Sequence, residues 1–146
     1  MKPDGLSEFE WWWMRMRHPR AERFFLYYPN QENGDHQVIK VCSRLGHDSA
    51  TLIWKICHPC RRGVIAKISI VDGWQRQGLG RRLVLRAMQD TDGYHWTTSG
   101  QSPMAQKFFP ALSQETGAAF TPLAPVCEHI RSARRRFPKP HLEHAE

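Results

Sequence analysis

Short apolar runs, many of them alternating with polar residues, recur along this chain and are separated by turn residues at close intervals. Val38-Ile-Lys-Val-Cys42 and Thr51-Leu-Ile-Trp-Lys-Ile56 read as strands, connected through Gly46-His-Asp-Ser49. Upstream, Phe24-Phe-Leu-Tyr-Tyr28 is an aromatic strand ended by Pro29, and Asn30–Asp35 is a turn. Val64-Ile-Ala-Lys-Ile-Ser-Ile-Val71 is a further strand. After the turn Asp72-Gly-Trp-Gln-Arg-Gln-Gly-Leu-Gly80 the period lengthens to that of a helix. Leu79, Leu83 and Ala87 share one face, flanked by Val84 and Met88, while Arg81, Arg82, Arg86 and Gln89 lie on the other. Asp90-Thr-Asp-Gly93 stops that helix and Tyr94–Thr98 reads as the next strand. Ser102-Pro103 opens a second helix with a hydroxyl cap and a proline at its first position. Met104, Ala105, Phe108, Phe109 and Leu112 form its apolar face and Gly117 closes it; Pro110 lies inside the pattern and predicts a kink or break. Strands followed by strand–helix–strand–helix predict a mixed α/β domain.

The two ends depart from this regularity. Phe9-Glu-Trp-Trp-Trp-Met-Arg-Met-Arg17 is read as a strand, with Phe9, Trp11 and Trp13 on one face and Trp12, Met14 and Met16 on the other. Neither face is polar, so one is expected to pack against the domain or a partner, which offers a surface for a homodimer. Residues 128–146 carry Arg134-Arg-Arg136 and two prolines, and are expected to form a poorly packed basic tail beyond a single domain over residues 1–127.

A chain of 146 residues is long enough to bury a core without disulfide or metal staples. No apolar run approaches the roughly 18 residues that span a bilayer. Acids stand where a signal peptide would place its apolar core, so the sequence reads as cytoplasmic, with no membrane partner. The net charge of +7 is localised: residues 55–86 hold eight cations (Lys55, Arg61, Arg62, Lys67, Arg76, Arg81, Arg82, Arg86) against Asp72 alone. That imbalance calls for an anionic partner around the glycine turn. The Arg134–Arg136 run is assigned to the solvated tail in preference to nucleic acid binding.

Cys42, Cys57, Cys60 and Cys127 read as reduced thiols in a non-exported chain. Cys57-His-Pro-Cys60 has metal-ligand spacing but is one C-x-x-C, and closing a zinc site would require Cys42 and Cys127 or a histidine from elsewhere. A redox role fits poorly, because the motif precedes a strand and lacks the helix N-terminus that lowers a thiol pKa. It is therefore read as a pair of thiols in a turn, with no metal.

A turn that feeds a helix N-terminus aims unpaired backbone N–H groups at one point, a ready phosphate site. A dinucleotide fingerprint would place a third glycine where Leu83 stands, and a P-loop would follow its glycine with Lys-Ser/Thr where Arg81-Arg82 stands. What remains is Gln75-Arg-Gln-Gly-Leu-Gly80, which resembles the Q/R-x-x-G-x-G/A pattern of the GNAT acyltransferase superfamily. As in that family, the pattern follows an apolar strand and opens a helix. Downstream, Ser102-Pro-Met-Ala105-Gln-Lys-Phe-Phe109 stands where the family has a helix commonly beginning with Asn, and the resemblance covers about residues 38–120.

The resemblance implies a mixed, mostly antiparallel central sheet with flanking helices, and an N-acyltransferase that moves an acetyl or other acyl group from acetyl-CoA (acyl-CoA) to an amine. It implies that backbone N–H groups from Arg76, Gln77, Gly78, Leu79, Gly80 and Arg81, after Gln75, cradle the coenzyme pyrophosphate. Ile70 and Val71 would pair with the pantetheine arm. Ser102 would replace the Asn that touches it, and Arg81, Arg82 or Arg86 would reach the 3′-phosphate. Phe109 stands where the family often has its acid tyrosine, leaving Ser99 and Ser102 as the nearest hydroxyls. Val64–Val71 and Tyr94–Thr98 contain no carboxylate, and His95 and His58 are the only nearby side chains with a base-like pKa. No catalytic residue is assigned. A non-catalytic binding module of the same fold and a basic nucleic-acid binder remain the alternatives.

Overall fold

A computed structural model describes residues 1–30, 32–75, 77–133 and 138–146. Its elements are α1 (Glu8–Arg17), β1 (Arg23–Tyr28), β2 (His36–Ser43), β3 (Asp48–Cys57), β4 (Arg62–Ile70), α2 (Leu79–Ala87), β5 (His95–Thr98), α3 (Ala105–Thr116), β6 (Thr121–Pro122), α4 (Glu128–Arg131) and β7 (His141–Ala145). The strands form one mixed sheet in the order β6-β5-β4-β3-β2-β1-β7. Pairing is antiparallel from β7 through β4 and parallel for β4–β5 and β5–β6. The mixed α/β class read from the chain is therefore what the structure contains. Among the described residues, no helix is long and apolar enough to cross a membrane.

Strand alternation divides the core between the two sheet faces. On one, Phe25, Leu52, Trp54 and Ile65 pack with Leu79, Leu83 and Ala87 of α2 and Phe109 and Leu112 of α3. On the other, Phe24, Leu26, Val38 and Ile53 pack with Trp11 of α1.

The N-terminal run is a helix, not the expected strand. Ser7 and Glu10 form a reciprocal capping box, with acids in the first turn of α1 and Arg15 and Arg17 in its last. Helical geometry sends the three tryptophans in different directions. Trp11 is fully buried edge-on to Phe24, ring centroids 5.1 Å apart, while Trp12 and Trp13 are exposed and stack with Phe9.

Where a poorly packed tail was expected over 128–146, the described residues 128–133 and 138–146 carry a short helix and a strand. α4 seats on β3, and β7 pairs with the edge of β1, where the Glu146 carbonyl accepts from the N–H groups of Glu22 and Arg23 at 2.8 Å each. Arg134–Arg136 lie outside the described residues. α3 runs through Pro110 without a break; the proline is exposed, and burial of Phe109 and Leu112 holds the helix on the sheet. Gly117 closes it in the left-handed conformation, as expected.

Candidate functional site

Divergence of β4 from β5 opens a cleft. The strands pair only from Arg62 to Ile65 against His95 to Thr98, whereas β4 continues to Ile70 against β3. At the parting point Ser99 donates its N–H to the Ile65 carbonyl (3.0 Å) and its Oγ to the Ala66 carbonyl (2.8 Å). Ala66 is the extra residue of a bulge, since Trp54 pairs with Ile65 and Ile53 with Lys67. The bulge resets the alternation, so Ile68 and Ile70 join Ile65 against the same core.

The backbone beyond the bulge is only partly available. Val71 donates its N–H to the Ser49 carbonyl at 2.9 Å, on the β3 side. Alternation then turns the N–H and C=O groups of Ile70 and Ile68 toward the open edge. There the Ile70 carbonyl accepts from Gln75 Nε2 at 2.9 Å. Of the expected pair, Val71 thus turns its N–H away from the cleft, while Ile70 keeps an outward N–H. Ile68, which the sequence reading did not single out, is the second outward-facing residue; the bulge that sets this parity has no signature in the sequence.

α2 begins at Leu79, inside the glycine turn that was expected to run to Gly80. Gly78 is its N-cap, with φ of 74° in the left-handed region that favours glycine. A Cβ on Gly78 would meet nothing within 4 Å, so its conformation is what requires glycine. A Cβ on Gly80 would lie 3.2 Å from Ile70 Cδ1 and 3.4 Å from the Phe108 ring, so that position requires close approach. Leu79, Gly80 and Arg81 occupy the first turn, whose N–H groups have no intrahelical acceptor. Gln77 donates to the Gly73 carbonyl at 3.2 Å and accepts from Arg23. Arg76 lies outside the described residues.

These groups border a cleft of about 550 Å³ between the end of β4, the α2 N-terminus and α3. Ile68, Ile70, Trp74, Met104 and Phe108 give it apolar walls. A narrower cleft of about 170 Å³ adjoins it between β4 and the residues after β5, and Ile68, Ser102 and Ala105 line both. α3 begins at Ala105, with Met104 as its N-cap, two residues later than the Ser102 cap expected; Ser102 Oγ accepts from the Ala105 N–H at 3.2 Å across the turn that leads into the helix. Phe109 is buried and forms a wall of the narrower cleft. Trp74 and Phe108 were not foreseen as lining residues, although Trp74 stands inside the motif turn.

The arginines of α2 are less free than the charge count implied. Arg81 donates Nε to both oxygens of Glu115, at 2.8 and 2.9 Å, which raises its pKa and lowers that of Glu115. Arg82 pairs with Glu146 at 2.9 Å and Arg86 with Glu143 at 2.7 Å, each stacked on an aromatic ring of β1. The carboxylates of α3 and the C-terminal strand therefore offset the basic run. Of the three, Arg81 alone borders the larger cleft.

His95 and His58 are not brought to the cleft. His95 opens β5 opposite Arg62, and His58 sits in the β3–β4 hairpin with Nδ1 2.8 Å from the Tyr94 hydroxyl. Ser99 is four positions beyond His95, about 13 Å of extended chain. Lys67 and Arg81 are the only titratable side chains among the described residues lining the two clefts.

No family model and no curated protein matches this sequence.

A second grouping lies at the hairpin end of β4. Cys57, Cys60, Cys127 and His129 bring their ligand atoms within 4.8 Å of one another. In sequence the first two are a lone C-x-x-C pair; the fold adds Cys127, the N-cap of α4, and His129 from its first turn. Cys42 is not part of it, being buried in the separate apolar cluster around Trp11 and Phe24, with its thiol against the Phe24 carbonyl and its pKa pushed up to about 12 by burial. Burial also pushes Cys57 up to about 11. Against the opposing effect of burial, the Ile130 N–H and the neighbouring Cys60, Cys57 and His129 hold Cys127 down at about 7.

Proposed function

We propose that this chain is an acyl-CoA-dependent N-acyltransferase that transfers an acetyl or other acyl group to an amine. The observation that carries the reading is the left-handed Gly78 opening α2 onto the cleft of about 550 Å³ beside the unpaired edge of β4. It stands with the resemblance of Gln75–Gly80 to the GNAT pattern. First-turn N–H groups of Leu79, Gly80 and Arg81 are suited to a pyrophosphate, and the outward N–H groups of Ile68 and Ile70 to a pantetheine amide. Apolar walls formed by Ile68, Trp74 and Phe108 exclude water along the arm.

The narrower cleft, between Ile65–Ile68 and Ser99–Ser102, is where thioester and amine would meet. Attack of a neutral amine on the thioester carbon forms the C–N bond and breaks the C–S bond. The amine loses a proton and the thiolate gains one. The protein's part is to orient the carbonyl and supply N–H groups to its developing charge. Phe109 cannot donate a proton, which leaves the hydroxyls of Ser99 and Ser102, or water, for the thiolate.

The test is a thermal-shift titration with acetyl-CoA followed by free-thiol release across a panel of amines, peptides and aminoglycosides. A native-state ligand at about 100 times its Kd raises stability by about 2.7 kcal/mol. The Gly78→Glu/Gly80→Glu double variant places carboxylates at the phosphate position and should abolish the shift. A shift that survives both substitutions, or no shift at millimolar coenzyme, contradicts the site. A second reading, a non-catalytic coenzyme-binding module, is favoured by the buried Phe109 and the scarcity of titratable groups in the clefts. It predicts the shift without thiol release from any amine.

A further inference from the structure

We propose that Cys57, Cys60, Cys127 and His129 form a closed tetrahedral zinc site that fastens α4 to the β3–β4 hairpin. The inference is independent of the acyltransferase reading, since the cluster lies at the end of β4 away from the clefts.

The distances are those of a coordination shell. Bond lengths of about 2.3 Å for Zn–S and about 2.05 Å for Zn–N put tetrahedral S···N edges at about 3.6 Å. His129 Nδ1 lies 3.4 Å from Cys57 Sγ and 3.7 Å from Cys60 Sγ, so one ring nitrogen faces both sulfurs. The donor set of three thiols and one imidazole selects a soft tetrahedral ion, and hard cations such as Mg²⁺ or Ca²⁺ prefer oxygen. Four protein donors leave no position for water or substrate, which makes the site structural. Two negative charges from the thiolates offset Zn²⁺ and the third leaves a net charge of −1, in a hairpin that carries Arg61 and Arg62.

The surroundings fit a staple. Cys57 and His129 are 72 residues apart in sequence, and the apolar cluster joining their segments is small, with Cys57, Val64 and Ile130 at its centre. Arg62 donates to the Pro125 carbonyl at 3.3 Å, tying the hairpin to the segment before Cys127. His58, inside the same C-x-x-C, turns to the Tyr94 hydroxyl instead, so the fold itself distinguishes ligand from bystander.

The experiment measures metal by mass spectrometry in the full chain grown with zinc and dialysed, comparing wild type with Cys60→Ser, His129→Ala and His58→Ala. About one zinc per chain is expected for wild type and His58→Ala, and at least about tenfold weaker retention against a chromophoric chelator for the other two. Cobalt reconstitution of the wild type reads the geometry without any variant. Intense ligand-field bands with a thiolate charge-transfer band support a tetrahedral thiolate site; weak octahedral bands or no binding overturn it. Full zinc retention in both Cys60→Ser and His129→Ala overturns the ligand assignment. A Cys57–Cys60 disulfide in freshly purified, metal-free protein overturns the site altogether.

Discussion

Gly34 and Gly117 share one backbone conformation and differ in what stands beside them, so the pair separates strain from contact. Their φ values are 84° and 79°. A methyl group on Gly117 would meet nothing within 4 Å, whereas on Gly34 it would lie 2.2 Å from the His129 carbonyl oxygen and 2.9 Å from the Ile130 nitrogen. Those are backbone atoms of α4 and cannot rotate aside. Left-handed strain costs alanine about 1 kcal/mol at either site, and the change in unfolded-chain entropy is common to both. Overpacking adds about 1–3 kcal/mol at Gly34 alone. With an unfolding entropy near 2.1 cal/mol/K per residue, a chain of 146 residues loses roughly 3 °C of Tm per kcal/mol. Gly117→Ala should therefore lower Tm by about 3 °C and Gly34→Ala by about 6–12 °C, read by differential scanning calorimetry. Equal shifts for the two variants would refute the seating of α4 against the Gly34 turn.

Three further outcomes follow from particular contacts. Ser7→Ala removes one half of the capping box of α1 and should cost about 1 kcal/mol, or roughly 3 °C, in thermal denaturation. Glu115→Gln frees Arg81 for an incoming phosphate and should tighten acetyl-CoA binding about threefold in low salt, measured by calorimetry, with the gain fading as salt rises. Hydrogen bonding by Arg82 and then His144 depresses the Glu146 carboxyl below its usual 4.5. The unfolded chain therefore takes up that proton first as pH falls, so the contribution is full above about 4.5 and lost as pH drops through the folded value. In urea denaturation Glu146→Gln should be less stable than wild type at pH 7 and converge with it in acid.

The strands β1 to β5 and the helices α2 and α3 were legible because each carries its own period and its own punctuation. Leu79, Leu83 and Ala87 announce α2, and Ser102 and Gly117 bracket α3. α1 was misread because three adjacent tryptophans satisfy any period; the local signal that decides it is the Ser7–Glu10 spacing. β7 was not legible, since His141–Ala145 is short and its partner β1 lies more than a hundred residues upstream. The cysteine cluster failed for the same reason: Cys57 and Cys60 are neighbours in the chain, but Cys127 and His129 reach them only through the placement of α4 on β3. In the cleft, the glycine turn was read from local residues. Which backbone groups face the open edge depends on the bulge at Ala66, a property of strand pairing.

The proposed function requires the α2 N-terminus and the open edge of β4 to receive acyl-CoA. The decisive measurement is amide hydrogen exchange of the wild-type chain with and without saturating acetyl-CoA. Added protection is expected at Ile68, Ile70 and Leu79–Arg81, with β7 and the cysteine cluster unchanged. Protection confined to other elements, or none despite demonstrated binding, would contradict it.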